Sequence, residues 1–156
     1  MRQLFAACLL MLPAGVLLAQ GSPGKPGAGV YAAHCVACHQ PEGLGAPGVA
    51  PPLAGNVGRH AATPEGRNYL ARVPLTGMVG TITVDGVRYI GNNMPSFSVL
   101  SDADIASVVG HVLRDFNGIA DISWLTPEFV ASVRQTGGTP NETHKQRGRL
   151  AAASGG

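Results

Sequence analysis

The sequence predicts an all-α fold that carries one small β-hairpin. Three observations predict it. Apolar residues Ile105, Val108, Val109, Val112, Leu113 and Phe116 recur at helical spacing. Two Thr-Pro-Glu triplets, Thr63-Pro64-Glu65 and Thr126-Pro127-Glu128, read as helix starts. The only β-prone pair of runs flanks Asp85-Gly86, a dipeptide suited to a two-residue turn with positive φ.

Taken in order, the chain opens Met1-Arg2-Gln3 and then runs apolar from Leu4 to Ala19. A positive start, a short apolar core and a small residue at its end make residues 1–19 a secretory signal peptide, too short to span a membrane. Cys8 lies inside it, and a lipoprotein anchor there is the lesser alternative because almost no apolar stretch precedes it. Residues 20–26 are a flexible Gly/Pro lead-in. A helix beginning near Gly27 carries Val30 and Tyr31 and ends soon after His39, where Pro41, Gly43, Gly45, Pro47 and Gly48 impose a loop. Thr63 caps the next helix, whose apolar side is Tyr69, Leu70 and Val73 and which stops at Pro74 and Gly77. Thr81 to Ile90 forms the hairpin. Ser101-Asp102-Ala103-Asp104 is a capping box with Asp in place of Glu, and Asn117-Gly118 closes the amphipathic helix that follows. A short helix after Thr126 turns Phe129, Val130 and Val133 inward. From Gly137 the tail is polar and aperiodic, so residues 137–156 are expected to be disordered.

Charge excludes some functions. Between Gln20 and Gln135 seven basic residues meet eight acidic ones, and the tail carries a net +2. A body so near neutrality has no basic stripe for nucleic acid, and no strong field to steer a partner. No nucleophile, paired-carboxylate site or nucleotide loop is visible, so the chain is not read as an enzyme.

The chemistry is concentrated in Cys35-Val36-Ala37-Cys38-His39. Side chains three and four apart share one helix face, so two thiols and an imidazole can be presented together. C-x-x-C alone fits half a zinc site or a redox dithiol, but His directly after the second Cys is the pattern of covalent haem attachment. The thiols then form thioethers to the vinyl groups, and His39 is an axial ligand to the iron. With both cysteines used, the exported chain has no thiol left for a disulfide. A thioether opposite histidine completes a low-spin site. Met94, in the bendable loop Gly91-Asn92-Asn93-Met94-Pro95-Ser96-Phe97, is the expected ligand, and Met78 an apolar plug. Aromatic residues are only 5% of the chain, so the haem itself is expected to supply much of the core.

These residues together resemble a family. The stretch from Gly27 to Phe116 is similar to class I, single-haem bacterial c-type cytochromes, including the cytochrome subunits of periplasmic dehydrogenases. Gly27, Tyr31, Cys35, Cys38 and His39 match a G-x-x-x-Y-x-x-x-C-x-x-C-H pattern, Pro51-Pro52-Leu53-Ala54-Gly55-Asn56 a P-P-L-A-G-N segment, and Met94-Pro95-Ser96-Phe97 an M-P-x-F segment. The resemblance implies a cytochrome c-like haem domain over residues 27–118, whose first and last helices cross beside one covalent haem c. A C-terminal extension with a short helix, 119–136, follows. It implies also that the Pro51 carbonyl accepts a hydrogen bond from His39; Pro51 and Pro52 shaping the loop alone is the plainer alternative. His111 departs from the family, standing where an aromatic residue is usual, and is expected to pack beside Gly27. His34, His60 and His144 are expected on the surface.

The function so implied is one-electron transfer in the periplasm, from a dehydrogenase donor to an oxidase or reductase acceptor. The alternative is a tightly bound electron-transfer subunit of a periplasmic dehydrogenase or reductase, with Trp124 to Gln135 as its docking element.

Overall fold

The computed structural model describes residues 25–91 and 93–153. The expected signal peptide, Cys8 and most of the lead-in lie outside the described residues. The elements run α1 (Ala28–His34), α2 (Val36–His39), a 3-10 turn (Gly58–Ala62), α3 (Pro64–Thr76), β1 (Ile82–Val84), β2 (Val87–Tyr89), α4 (Asp102–Asn117), α5 (Pro127–Gln135) and α6 (Pro140–Ala153). Among the described residues no helix is long and apolar enough to cross a membrane.

The caps explain where the helices start. The side chains of Thr63, Ser101 and Thr126 accept from the backbone N–H of Gly66, Asp104 and Phe129, each satisfying one donor that a helix start leaves unpaired. Helix α3 runs through Pro74 and stops at Gly77, three residues beyond the proline. Helix α4 ends at Gly118, in the left-handed conformation with φ +65°.

Helix α4 is the axis of the fold. Its stripe of Ile105, Val108, Val109 and Leu113 is buried against Tyr31 of α1, Leu70, Ala71 and Leu75 of α3, and Val130 and Val133 of α5. Helix α1 meets it at Gly27, whose φ is +87° and where a Cβ would lie 2.0 Å from the Ser107 carbonyl oxygen. Glycine therefore permits both the turn into α1 and the approach to α4. The same crossing stacks three rings edge to face: Tyr31 lies 5.4 Å from His111 and 5.1 Å from Phe116, and His111 lies 4.9 Å from Phe116. His111 packs as expected, and its Nδ1 is 2.6 Å from Asp115, which also accepts from Lys25 at 2.6 Å.

The hairpin has Asp85 and Gly86 at φ 51° and 77°, as its turn requires. Its register pairs Ile82 with Tyr89 and Val84 with Val87. Continuing that register would set Met78 opposite Asn93. One extra residue on the returning side sets it opposite Met94 instead.

Two expectations need correction. Over Pro140–Ala153 the tail is helical, not disordered: Thr139 accepts from the N–H of Glu142 while the Glu142 carboxylate accepts from the N–H of Thr139, a reciprocal capping box that starts α6. Helix α6 packs on α3 through buried Thr143, Gln146 and Leu150, with Gln146 donating to Asn68 and to the Glu65 carbonyl. His144 and Arg147 tie it to the hairpin at the carbonyls of Thr81 (2.8 Å) and Thr83 (3.2 Å). His60 is likewise not on the surface; it is buried against Tyr69, ring centres 5.1 Å apart.

Candidate functional site

A crevice opens between α1–α2, the 51–57 segment, α3, the hairpin, the Met94 loop and α4. Two adjoining cavities, of about 780 and 960 Å³ including the open mouths, share Cys35, His39, Met78, Ile82 and Met94 as walls. The inner one is finished by Tyr31, Leu70, Val109 and Leu113, among other apolar side chains. The outer one is lined by Cys38, Val49, Pro51, Tyr89 and Phe97.

The pentapeptide sits on one rim. Helix α1 ends at Cys35, which closes on the Tyr31 carbonyl, and α2 resumes at once, so Cys35 is half-buried and Cys38 exposed. Burial, and secondly the neighbouring Cys38, push the Cys35 thiol up to about 11. A redox dithiol needs a depressed pKa, so the site is unlike one. Among the described residues no cluster of three or more His, Cys, Asp or Glu side chains is placed to hold a metal ion, as a zinc site would require.

His39 is buried, with Nδ1 3.0 Å from the Pro51 carbonyl oxygen. That contact assigns the ring proton to Nδ1 and leaves the Nε2 lone pair as the ring's free donor. Burial lowers the His39 pKa, with the Pro51 bond acting in the opposite sense, which favours the neutral ring that ligation needs. Pro51 is held in turn by its neighbours, because Leu53 and Ala54 both donate to the Gly43 carbonyl. Tyr31 fixes the other side of the loop, donating to the Gln40 carbonyl at 2.7 Å.

Met94 lies across the same cavities. Its loop is laced to the end of α3: Ser96 donates to the Leu75 carbonyl at 2.6 Å, and Phe97 N–H to that of Pro74 at 2.8 Å. Gly77 is positioned so that a Cβ would fall 2.4 Å from the Met94 carbonyl oxygen, which keeps this approach to glycine. Met78 and Met94 exchange backbone hydrogen bonds of 3.0 and 2.9 Å. Directly opposed residues of an antiparallel pair project to one side, and both thioethers line the crevice. Met78 Sδ is contacted by the Tyr69 hydroxyl at 3.8 Å. Met78 therefore lines the crevice directly beside Met94.

The residues present fit a haem. The crevice walls are mostly apolar, and Cys35, Cys38, an imidazole with one free nitrogen and the methionines Met78 and Met94 all line it. Sequence reasoning missed Arg147, a cavity-lining residue delivered by α6.

Comparisons with known proteins agree. The family model described as Cytochrome c matches residues 24–114. The chain is 38% identical over 153 residues to a protein named Cytochrome c-552 from Thermus thermophilus, covering 96% of this chain and 98% of that one. A second protein of that name, also from Thermus thermophilus, is 39% identical over 127 residues, covering 80% and 95%. The chain therefore belongs to the cytochrome c family, with haem c bound covalently at a C-x-x-C-H motif and the working role of a single-haem electron carrier.

Proposed function

We propose that this chain is exported to the periplasm and shuttles single electrons between redox proteins there, with His39 and Met94 as the axial ligands of its haem iron. The observation that supports the ligand assignment is the 3.0 Å contact between His39 Nδ1 and the Pro51 carbonyl, which leaves Nε2 free on a residue that shares its cavities with Met94. The haem supplies the one-electron ferrous/ferric couple. Everything else falls to side chains. Cys35 and Cys38 would hold the haem covalently, Pro51 orients His39, and the loop bonds of Ser96 and Phe97 hold Met94 in place. Leu70, Val109 and Leu113 exclude water, which favours the ion's less charged state. The donor would be a dehydrogenase and the acceptor an oxidase or reductase.

The free carrier is preferred over a fixed subunit because the 119–136 extension turns back on its own domain. Leu125, Val130 and Val133 are buried in the main core, and Arg67 lies 5.3 Å over the Trp124 ring. Electrons would pass at the outer mouth, where Val49 is exposed and uncharged.

The test is the ferric optical spectrum of the mature holoprotein, followed by a redox titration. Wild type should show the weak sulfur-to-iron charge-transfer band. Met94→Ala should lose it and fall in potential, whereas Met78→Leu should keep it. A band that survives in Met94→Ala and vanishes in Met78→Leu overturns the assignment.

A further inference from the structure

Besides the α6 contacts along β1, the hairpin is joined to the molecule at both of its ends. At the turn, the Asp85 carboxylate accepts a hydrogen bond of 2.9 Å from the side chain of buried Asn56. At the root, the pairing runs on into the backbones of Met78 and Met94. Between these ends Ile82, Val84 and Tyr89 form a small apolar cluster of their own, with Met78 packed on it, separate from the cluster that gathers the helices. Ile82 walls both cavities and Tyr89 the outer one. A two-stranded hairpin is marginally stable by itself. With a core of its own, it can open as one unit when its ties fail.

The two ends meet the two halves of the ligand set. Asn56 stands between Leu53 and Val57, which line the inner cavity, in the segment whose Pro51 carbonyl contacts His39. Met78 and Met94 stand at the other end. Turn geometry alone does not call for aspartate at position 85, because Asn-Gly or Gly-Gly would serve as well. What aspartate adds is a charged acceptor, and a hydrogen bond to a carboxylate is the stronger kind. Asp85 is exposed, so its charge keeps most of its hydration while it binds Asn56. We infer that Asn56 and Asp85 are positioning residues for Met94 that act through the hairpin: their bond clasps the strand pair to the 51–57 segment, and its release loosens the Met78 pairing and lets the Met94 sulfur leave the iron. This rests on the reading that Met94 is an axial ligand.

The experiment uses the mature ferric holoprotein, comparing wild type with Asn56→Ala, Asp85→Gly, the double variant and Asp85→Asn. Glycine accepts the φ of 51° at position 85 but has no acceptor, whereas asparagine accepts it and keeps a carbonyl oxygen. The readouts are the limiting rate at which saturating imidazole displaces the thioether, and amide hydrogen exchange over 82–89 and in α4. Each single variant should raise the limiting rate roughly tenfold, and the double variant should be no faster than the faster single one. Asp85→Asn should fall between wild type and Asp85→Gly. Exchange should quicken in the hairpin and stay unchanged in α4. Unchanged rates in both single variants overturn the inference. So do effects that multiply in the double variant, because the two residues would then act separately, and so does equal quickening in α4, which would mean general loosening of the fold. A wild type lacking the sulfur-to-iron band refutes the His/Met reading and the clasp with it, whereas a normal band with unmoved rates refutes the clasp alone.

Discussion

Replacing Gly27 by alanine tests how tightly the haem-bearing helix is pressed on the core. Two costs add. Alanine at φ +87° sits in left-handed space, at roughly 1–2 kcal/mol. Its Cβ would also stand 2.0 Å from the Ser107 oxygen and 2.5 Å from the Ser107 carbon. These are backbone atoms of α4 that cannot rotate aside. Overpacking of this kind costs roughly 1–3 kcal/mol once the helices separate. The total, roughly 2–5 kcal/mol, is a large part of the 5–15 kcal/mol typical of a domain. The expected result is a fall in Tm of roughly 8–20 °C, measured on the holoprotein by circular dichroism at matched pH. The Tyr31 ring should also loosen from His111 and Phe116, visible in near-UV dichroism. A drop under about 2 °C with an unchanged near-UV spectrum would refute the idea that this crossing is a fixed constraint.

Other expectations follow from single residues. His60 is held neutral: burial, then the charges of Arg59 and Arg147, depress its pKa from 6.5 to about 4. The unfolded chain therefore takes up this proton first. The contribution is complete above pH 6.5, is lost progressively as pH falls towards 4, and is worth at most about 3 kcal/mol. His60→Phe should narrow the difference in stability between about pH 7 and about pH 4.5, and an identical acid loss in the variant would count against the assignment. Thr139→Ala removes the cap of α6 and should cost about 1 kcal/mol, read as faster amide hydrogen exchange in Thr143 to Leu150 than in α4. Equal exchange in wild type and variant would mean that the cap is idle.

How legible the molecule is depends on which force fixes each part. Helix α4 is held by an apolar stripe and a cap, both local and both visible in Ser101 to Gly118. The hairpin turn is equally plain, because positive φ at two positions leaves Asp-Gly few rivals. Helix α6 is hidden for the opposite reason. Its buried positions Thr143 and Gln146 are polar and satisfied by side chains of α3, so a search for apolar periodicity passes over it. Thr139-Pro140-Asn141-Glu142 nevertheless carries the same Thr-Pro start as α3 and α5, and that is the signal available. His60 has the same character, since nothing in its neighbours in sequence announces Tyr69. At the site, the pentapeptide and the Met94 loop are readable as motifs. Their reach is not: the pairing of Met78 with Met94 depends on one extra residue in the returning strand, and the presence of Arg147 in the crevice depends on how α6 docks.

The reciprocal cap at Thr139 and Glu142 has a consequence for how the protein is assembled. The thiols that receive the haem come early in the chain, while the helix that reaches over the crevice follows all the other described elements. Without α6 the part of the cavity wall supplied by Arg147 is missing. One threonine and one glutamate therefore cap the element that, last in chain order among those described, completes the cavity wall.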